Sequence, residues 1–379
     1  MVVKGLCIND LHFGLASSPR FYEELEIVKD FINKNELDVI HINGDFFDRK
    51  LSYSDPAALI AMQFFYEIRE LCIKKKIKLR VIHGTMSHER NQTEMFNRFS
   101  SRYLDMKVIN TASDEELFPG FNVLYIPEEY PVNADEFYAP FKTKEYEAVM
   151  MHGMWDFLAM KSMIEEANRT DFQTAPIFKW EDWKQTVPHG IIMCGHIHSR
   201  HVYKNHIFYP GSFSAWDFTD ISEKGFAYYT YDTEKKFYRV KFINNTKCPT
   251  YGTITLNDLG LDLNECSIED FQEAVKLESE KYDNFRIDID TDKMPLEKTE
   301  LIKKIYKDNP KIKVKILEKK ILLLEEDKDK YSKYEYIFKN TLPIEEVIYK
   351  YINEEMSNIE GHDKITVDQI KEIITVDEE

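Results

Sequence analysis

The chain has 379 residues, 43% of them hydrophobic and 31% charged, with a formal net charge of −17. That is enough apolar material for one large core and a smaller one, while the acidic balance excludes a protein that grips nucleic acid by broad neutralisation of phosphates, so any polyanion must be held locally, by metal ions, a few basic loops or a partner. No window approaches the ~18–20 uninterrupted apolar residues of a membrane span, and the N-terminus runs straight into a strand with no apolar signal region behind basic residues, so a soluble, cytoplasmic protein is expected.

In chain order, "VVKGLCI" reads as a strand, followed by a helix over 21–33 that Ser18 and Pro19 cap and open. "LDVIHI" is the second strand. The next helix, over 55–76, starts at Asp55 and Pro56 and places Leu59, Met62, Phe65, Ile68 and Cys72 on one face at helical spacing. Further strands are expected at "IKLRVIHG", "YEAVMMHG", "HGIIMCGHIH" and "NHIFYPGS", then a hairpin in "KGFAYYTYDTEKKFYRVKFI" with its turn near 233–235. This alternation predicts a layered α/β domain over 1–245. A compact β-α-β-α-β module follows over 250–325, and a charged helical tail over 330–379. The five cysteines (Cys7, Cys72, Cys194, Cys248, Cys266) are scattered and never in CxxC spacing, which excludes a disulfide framework or a cysteine-rich zinc knuckle.

Polar residues with chemical potential collect at the ends of the apolar runs. "NDLHFG" carries Asp10 and His12 two apart, which in an extended segment would point the same way. "NGDFFD" places Asp45 at a strand's carboxyl end, where α/β sheets bind ligands, with Asp48 three residues on. "HGTMSHE" carries His88 and Glu89, "MMHG" carries His152, and "CGHIHS" carries His196 and His198. The remaining histidines (His41, His83, His189, His201, His206, His362) lack that context and read as core or surface residues. Carboxylates and imidazoles without clustered thiolates suit Mn²⁺, Fe²⁺ or Zn²⁺. Two such ions sharing a carboxylate would activate water for phosphoester hydrolysis.

The ordered series "NDLHFG", "NGDFFD", "HGTMSHE", "MHG", "GHIH" resembles the calcineurin-like metallophosphoesterase superfamily. The later stretch "YPGSFSAWDFTDISEKGFAYY", with its PGS and EKGF elements, and the small α/β domain plus helical tail resemble the SbcD-type DNA-repair exonucleases, including phage-type versions. The resemblance implies a layered β-sandwich with flanking helices and two Mn²⁺ ions, with Mg²⁺ as a substitute. It assigns Asp10, His12, Asp45 and His198 to one ion, and Asp45, His152 and His196 to the other. It makes His88 the residue that acts on the substrate, positioned by Asp48 and Glu89. The family loop has an asparagine ligand directly before that histidine; here Ser87 is the best stand-in and Thr85 the runner-up.

Arg49, Lys50, Arg90, Arg98 and Arg102 lie on or just beyond these loops as candidate DNA contacts. The resemblance further implies DNA as substrate, an SbcC-type coiled-coil ATPase as partner and a homodimer, and the tail, especially residues 342–352, is expected to pack on the partner's coiled coil. Two other readings compete: a phosphoprotein phosphatase or small-nucleotide phosphodiesterase, and a catalytically weak scaffold for the ATPase.

Overall fold

The computed structural model describes residues 1–15, 19–159, 175–220, 222–259, 267–290 and 296–317, with a few isolated positions beyond. The expected cap at Ser18 and almost all of the expected tail, including most of 342–352, lie outside the described residues.

Met1–Ile316 forms one compact unit and Leu317–Glu379 a second. Strands in the first are β1 (Val2–Ile8), β2 (Val39–Asn43), β3 (Lys78–Ile82), β4 (Met106–Ile109), β5 (Ser113–Phe118), β6 (Phe121–Ile126) and β7 (Ala148–His152). The short β8 (Met154–Trp155) and β9 (Ile177–Phe178) pair with each other, and β10 (Ile191–Gly195), β11 (His201–Tyr203), β12 (Ile207–Tyr209), β13 (Gly225–Asp232) and β14 (Phe237–Asn244) follow. They build two six-stranded sheets, β14-β13-β1-β2-β3-β4 and β11-β12-β10-β7-β6-β5. In the first, β1 to β4 run parallel and the expected hairpin β13-β14 closes one edge antiparallel to β1. In the second, β6, β7, β10 and β12 are parallel.

The sheets face each other across Val3, Cys7, Val39, Tyr229 and Tyr231 from one and Val123, Tyr125, Met150, Ile191 and Met193 from the other. Helices α1 (Pro19–Lys34) and α2 (Pro56–Lys75) cover the outer face of the first sheet. The helices Ala134–Lys142 and Trp180–Trp183 cover that of the second. The outcome is the layered α/β sandwich with flanking helices that was expected.

Asp55 caps α2 by accepting from Ala57 N (2.9 Å), as its position before Pro56 suggested. The buried face of α2 is shifted, however: Ala57, Ala61, Phe64, Phe65, Ile68 and Cys72 are buried, while Leu59 is 66% exposed. The two small alanines let the helix start approach the sheet closely, and the stripe they begin excludes Leu59. The strands β4 to β6 and the helix Ala134–Lys142 were not among the elements expected from the sequence. The edge strand β5, "SDEELF", alternates exposed acids with half-buried positions and therefore reads as a polar loop.

β15 (Tyr251–Thr255), β16 (Asn284–Asp290) and β17 (Ile312–Leu317) form a three-stranded sheet, with helices Ile268–Ser279 and Leu296–Tyr306 between them. This module has its own core of Ile254, Phe271, Val275, Phe285, Ile287, Ile302 and Ile312. It meets the sandwich through a two-pronged ion pair between Arg20 and Asp283 (both contacts 2.8 Å) and through Tyr251 OH, which donates to Trp216 O (3.2 Å). Among the described residues no helix is long and apolar enough to cross a membrane.

Candidate metal centre

The carboxyl ends of the parallel strands of both sheets converge on one point. Just before that point the sheets are tied by side-chain amides: Asn9 Nδ2 donates to Cys194 O (2.6 Å) and Asn43 Nδ2 to Met193 O (3.3 Å). Gly44, at φ +83°, closes the turn after β2, and a Cβ there would lie 2.2 Å from His152 Nδ1. Only glycine allows the His152 ring to rest against that turn, where its Nδ1 bonds Asn43 O at 2.9 Å.

Asp10 and His12 do reach a common place, but not by the extended geometry that their spacing suggested. β1 ends at Ile8, and both residues are left-handed, with φ of 49° and 45°. Two loops zipped together hold them there, with Asp10 N donating to Gly44 O (3.2 Å) and His12 N to Asp45 O (2.9 Å). Asp10, His12 and His198 form one cluster of ligand atoms within 4.8 Å of one another, as do Asp10, Asp45 and His152, then His12, Asp45 and His88, and finally Glu128, His152 and His196. Asp45 Oδ2 is central, at 3.3 Å from His152 Nε2, 3.5 Å from His88 Nδ1 and 3.7 Å from His12 Nε2. His196 and His198 diverge. His198 Nε2 faces His12 Nε2 at 2.9 Å, whereas His196 Nδ1 faces Glu128 Oε2 at 3.2 Å.

The electrostatics are those of a site shaped for cations. Burial opposes the Asp45 carboxylate, but His152, His12 and His88 outweigh it and hold the carboxyl well below the usual range. Burial likewise opposes a charged His12, and Asp48, Asp45 and Asp10 overcome it, so its pKa is raised. His152 is raised well above its ordinary value in the same way, by Asp45, Asp10 and Glu128 against burial. Burial lowers His198 despite the opposing Asp10. Asp10 Oδ2 is buried and has no hydrogen-bond partner among the described residues. A buried anionic oxygen without a donor, beside imidazole nitrogens that face one another, fits a divalent ion better than any arrangement of protons.

The other sequence-derived residues take varied places. His88 stands in one turn of helix, Met86–Glu89, with its ring centroid 5.1 Å from that of His12. Asp48 Oδ1 lies 3.2 Å from His12 Nδ1, so it orients His12 rather than His88. Glu89, fully buried, accepts from Phe46 N and Gly84 N (both 2.6 Å) and approaches His83 Nδ1 at 3.1 Å. It locks the β2 and β3 loops together instead of touching His88 in any contact the structure gives. Ser87 is exposed, whereas the members of the four clusters are buried or half-buried. The hydroxyl that faces them is Thr85 Oγ1, at 3.3 Å from Asp45 Oδ2, 3.1 Å from Glu128 Oε2 and 3.4 Å from His152 Nε2.

Glu128 itself escaped the sequence reading. The signal was present, since it follows the apolar strand β6 just as the other clustered residues follow theirs. Of the cationic loop residues, Arg49 pairs with Asp55 (2.8 Å), Arg102 lies over the Tyr103 ring at 4.7 Å, and Lys50, Arg90 and Arg98 are exposed.

Comparison with known proteins matches residues 4–200 to the family described as calcineurin-like phosphoesterase. No curated protein matches the chain. Among solved structures it overlaps the Pseudomonas putida nuclease MPE at 15% identity and a TM-score of 0.26, covering 59% of this chain and 83% of that one. It overlaps a hypothetical protein from Pyrococcus horikoshii at 11% identity and a TM-score of 0.30, covering 73% and 93%. Overlap at this level says nothing of substrate.

Proposed function

Because the chain belongs to the calcineurin-like phosphoesterase family, and so to enzymes of metal-dependent phosphoester hydrolysis, we propose that it is a DNA nuclease of the SbcD type. On this reading it is exonucleolytic on duplex ends and endonucleolytic on single strands, uses two Mn²⁺ ions with Mg²⁺ as a substitute, and acts in DNA repair, recombination or replication as a dimer with a coiled-coil ATPase.

The observation that carries the DNA reading is the placement of the PGS and EKGF elements. Ser212 N donates to His198 O (3.2 Å), Lys224 Nζ donates to the same oxygen (2.8 Å), and Gly225 N donates to Ser212 O (3.3 Å). The segments that distinguish the SbcD-type resemblance thus brace a candidate ligand. Trp216, in the same stretch, sets its ring 6.3 Å from that of His12 and accepts Tyr251 of the added module, so that module reaches to within one side chain of the centre.

Asp10, His12, Asp45 and His198 would hold one ion, and Asp45, His152 and His196 the other. When bound, such a pair supplies a water acidified for attack and neutralises charge on the phosphate. Asp48 keeps His12 Nε2 turned inward by engaging Nδ1. His88 turns Nδ1 towards Asp45, which leaves Nε2 to give a proton to the departing oxygen. With a charge of −17, the chain relies on its partner for much of its grip on DNA.

The test is degradation of end-labelled linear duplex DNA in Mn²⁺, with Mg²⁺ and His88→Ala alongside. Loss of a general acid lowers the rate by roughly 10²–10⁴, and the variant should keep its bound metal. No cleavage with or without an added partner ATPase would refute the nuclease reading. For the partner, a truncation lacking residues 335–379 should no longer join the ATPase, and an intact complex would count against the tail.

A further inference from the structure

The asparagine that the resemblance gives to the second ion is absent, and a different loop fills the gap. Glu128 follows β6, and its N–H donates to His83 O (3.3 Å), which sets it beside the β3 loop. The residue is 6% exposed. One carboxylate oxygen, Oε1, accepts from Tyr130 OH, so it is held from behind. The other, Oε2, lies 3.1 Å from Thr85 Oγ1, 3.2 Å from His196 Nδ1 and 3.9 Å from His152 Nε2. Ligands about 2.0–2.2 Å from one divalent ion sit ~3.0–3.6 Å from each other, which is close to the spacing of this group. A carboxylate with one oxygen fixed by a neighbour and the other turned among imidazoles has the form of a supported metal ligand.

We infer that Glu128 is the ligand that replaces the missing amide at the second metal position, with Tyr130 as its positioning residue; this rests on the two-metal reading above. Exchange of an amide for a carboxylate changes the charge of the centre. Asp10, Asp45 and Glu128 give three negative charges where the amide pattern has two, so two divalent ions leave a net charge of about +1 instead of +2. The second ion is held more tightly and the centre favours hard, oxygen-seeking Mn²⁺ or Mg²⁺. A plain ion pair between Glu128 and a protonated His196 is the competing account.

The test counts metal and needs no DNA: Mn²⁺ titration and bound Mn²⁺ after desalting for the full chain, with circular dichroism to check folding. The wild type and Ser87→Ala are expected to hold two ions and Glu128→Ala one, while Glu128→Gln, which puts an amide oxygen back at this place, holds two with the second bound more weakly. Tyr130→Phe keeps two, the second bound on the order of tenfold more weakly and the first unchanged. Two ions of wild-type affinity in folded Glu128→Ala, or one ion lost in Ser87→Ala, overturns the inference. So does a wild type that holds a single ion whose affinity Glu128→Ala leaves unchanged. A wild type with two ions, one of which depends on Glu128, supports it even if no DNA is cut, an outcome that would overturn only the nuclease reading.

Discussion

Gly84→Ala should damage the centre without removing any group that faces it. A Cβ at Gly84 would stand 2.1 Å from Asp45 N and 2.4 Å from Asp45 Oδ1. Relief to an ordinary contact of 3.4 Å needs about 1.3 Å of movement (3.4 less 2.1), and the obstacle is backbone, which cannot rotate away. Asp45 is the residue nearest to three site histidines, so its displacement disturbs His12, His88 and His152 together. The two loops are also bonded through Glu89 and through Thr85 N, which donates to Asp45 Oδ1 at 2.7 Å, so neither retreats alone. Overpacking of this kind costs ~1–3 kcal/mol of stability, and misplacement of a reacting group by about 1 Å costs on the order of 10² in rate. Hydrolysis of a generic phosphodiester in Mn²⁺, with a denaturation curve beside it, measures both. Gly120→Ala is the control. Its Cβ would meet nothing nearer than 4.0 Å, so its φ of +71° leaves only the left-handed strain of ~1–2 kcal/mol. Activity and Mn²⁺ affinity of Gly84→Ala equal to wild type would refute the claim that the two loops are locked in register.

Three further outcomes are expected. Asp48→Ala frees the His12 ring and should weaken the first ion about 10–100-fold with the second unaffected, read by Mn²⁺ titration; equal losses at both would mean that Asp48 acts otherwise. Chelation should lower the melting temperature and added Mn²⁺ restore it, since an ion at 100 times its Kd adds roughly 2.7 kcal/mol; an unchanged melt would deny metal a place in the folded chain. His41, buried between the sheets with Nε2 at 3.0 Å from Tyr229 OH, has its pKa lowered from 6.5 to about 3 by burial, with Arg80 adding to the effect. The unfolded chain therefore takes up the proton that the folded chain refuses: this part of the stability is whole above about pH 6.5 and falls towards pH 3. The slope is up to ~1.4 kcal/mol per pH unit. It should shrink by that amount in His41→Leu, followed by denaturant midpoints, and a parallel pH profile in that variant would refute it.

The clustered residues that were legible share one grammar: a polar residue directly after an apolar run that becomes a parallel strand. Asp10, Asp45, His152, His196 and His198 all obey it. Glu128 obeys it too, but Glu129 stands beside it with the same chemistry, and only the fold separates them. Glu128 Oε2 turns to His196, while Glu129 Oε1 accepts from Thr111 Oγ1 (2.6 Å) at the outer edge. Proximity in sequence misled at Ser87 for a related reason. Residues 86–89 make a single helical turn, so the neighbour of His88 points to solvent and the residue that precedes the turn, Thr85, points in. Glu89 looked catalytic because it adjoins His88, yet its two oxygens are consumed by backbone N–H groups of two loops. Register within a loop is set by tertiary bonds, which a motif does not record.

Strain at the centre follows from the same cause. Asp10, His12, Asp45 and His196 all adopt positive φ, of 49°, 45°, 48° and 90°. A non-glycine residue there costs ~1–2 kcal/mol, and such costs persist only where the surroundings over-determine the conformation. Here the loops after β1 and β2 are sewn to each other by four backbone bonds, ending with Phe13 N to Phe46 O (2.9 Å) and Asp48 N to Phe13 O (3.0 Å). His196 N is fixed by Asp10 Oδ1 at 2.9 Å across the two sheets. A strand turns alternate side chains to opposite faces, which would send half of these residues away from the centre. The left-handed turns after β1, β2 and β10 break that alternation, and aim carboxylates and imidazoles from both sheets at one point. The bonds that enforce the turns are made by the chain itself. The ligand geometry is therefore set before an ion arrives, and a metal-free protein should keep it.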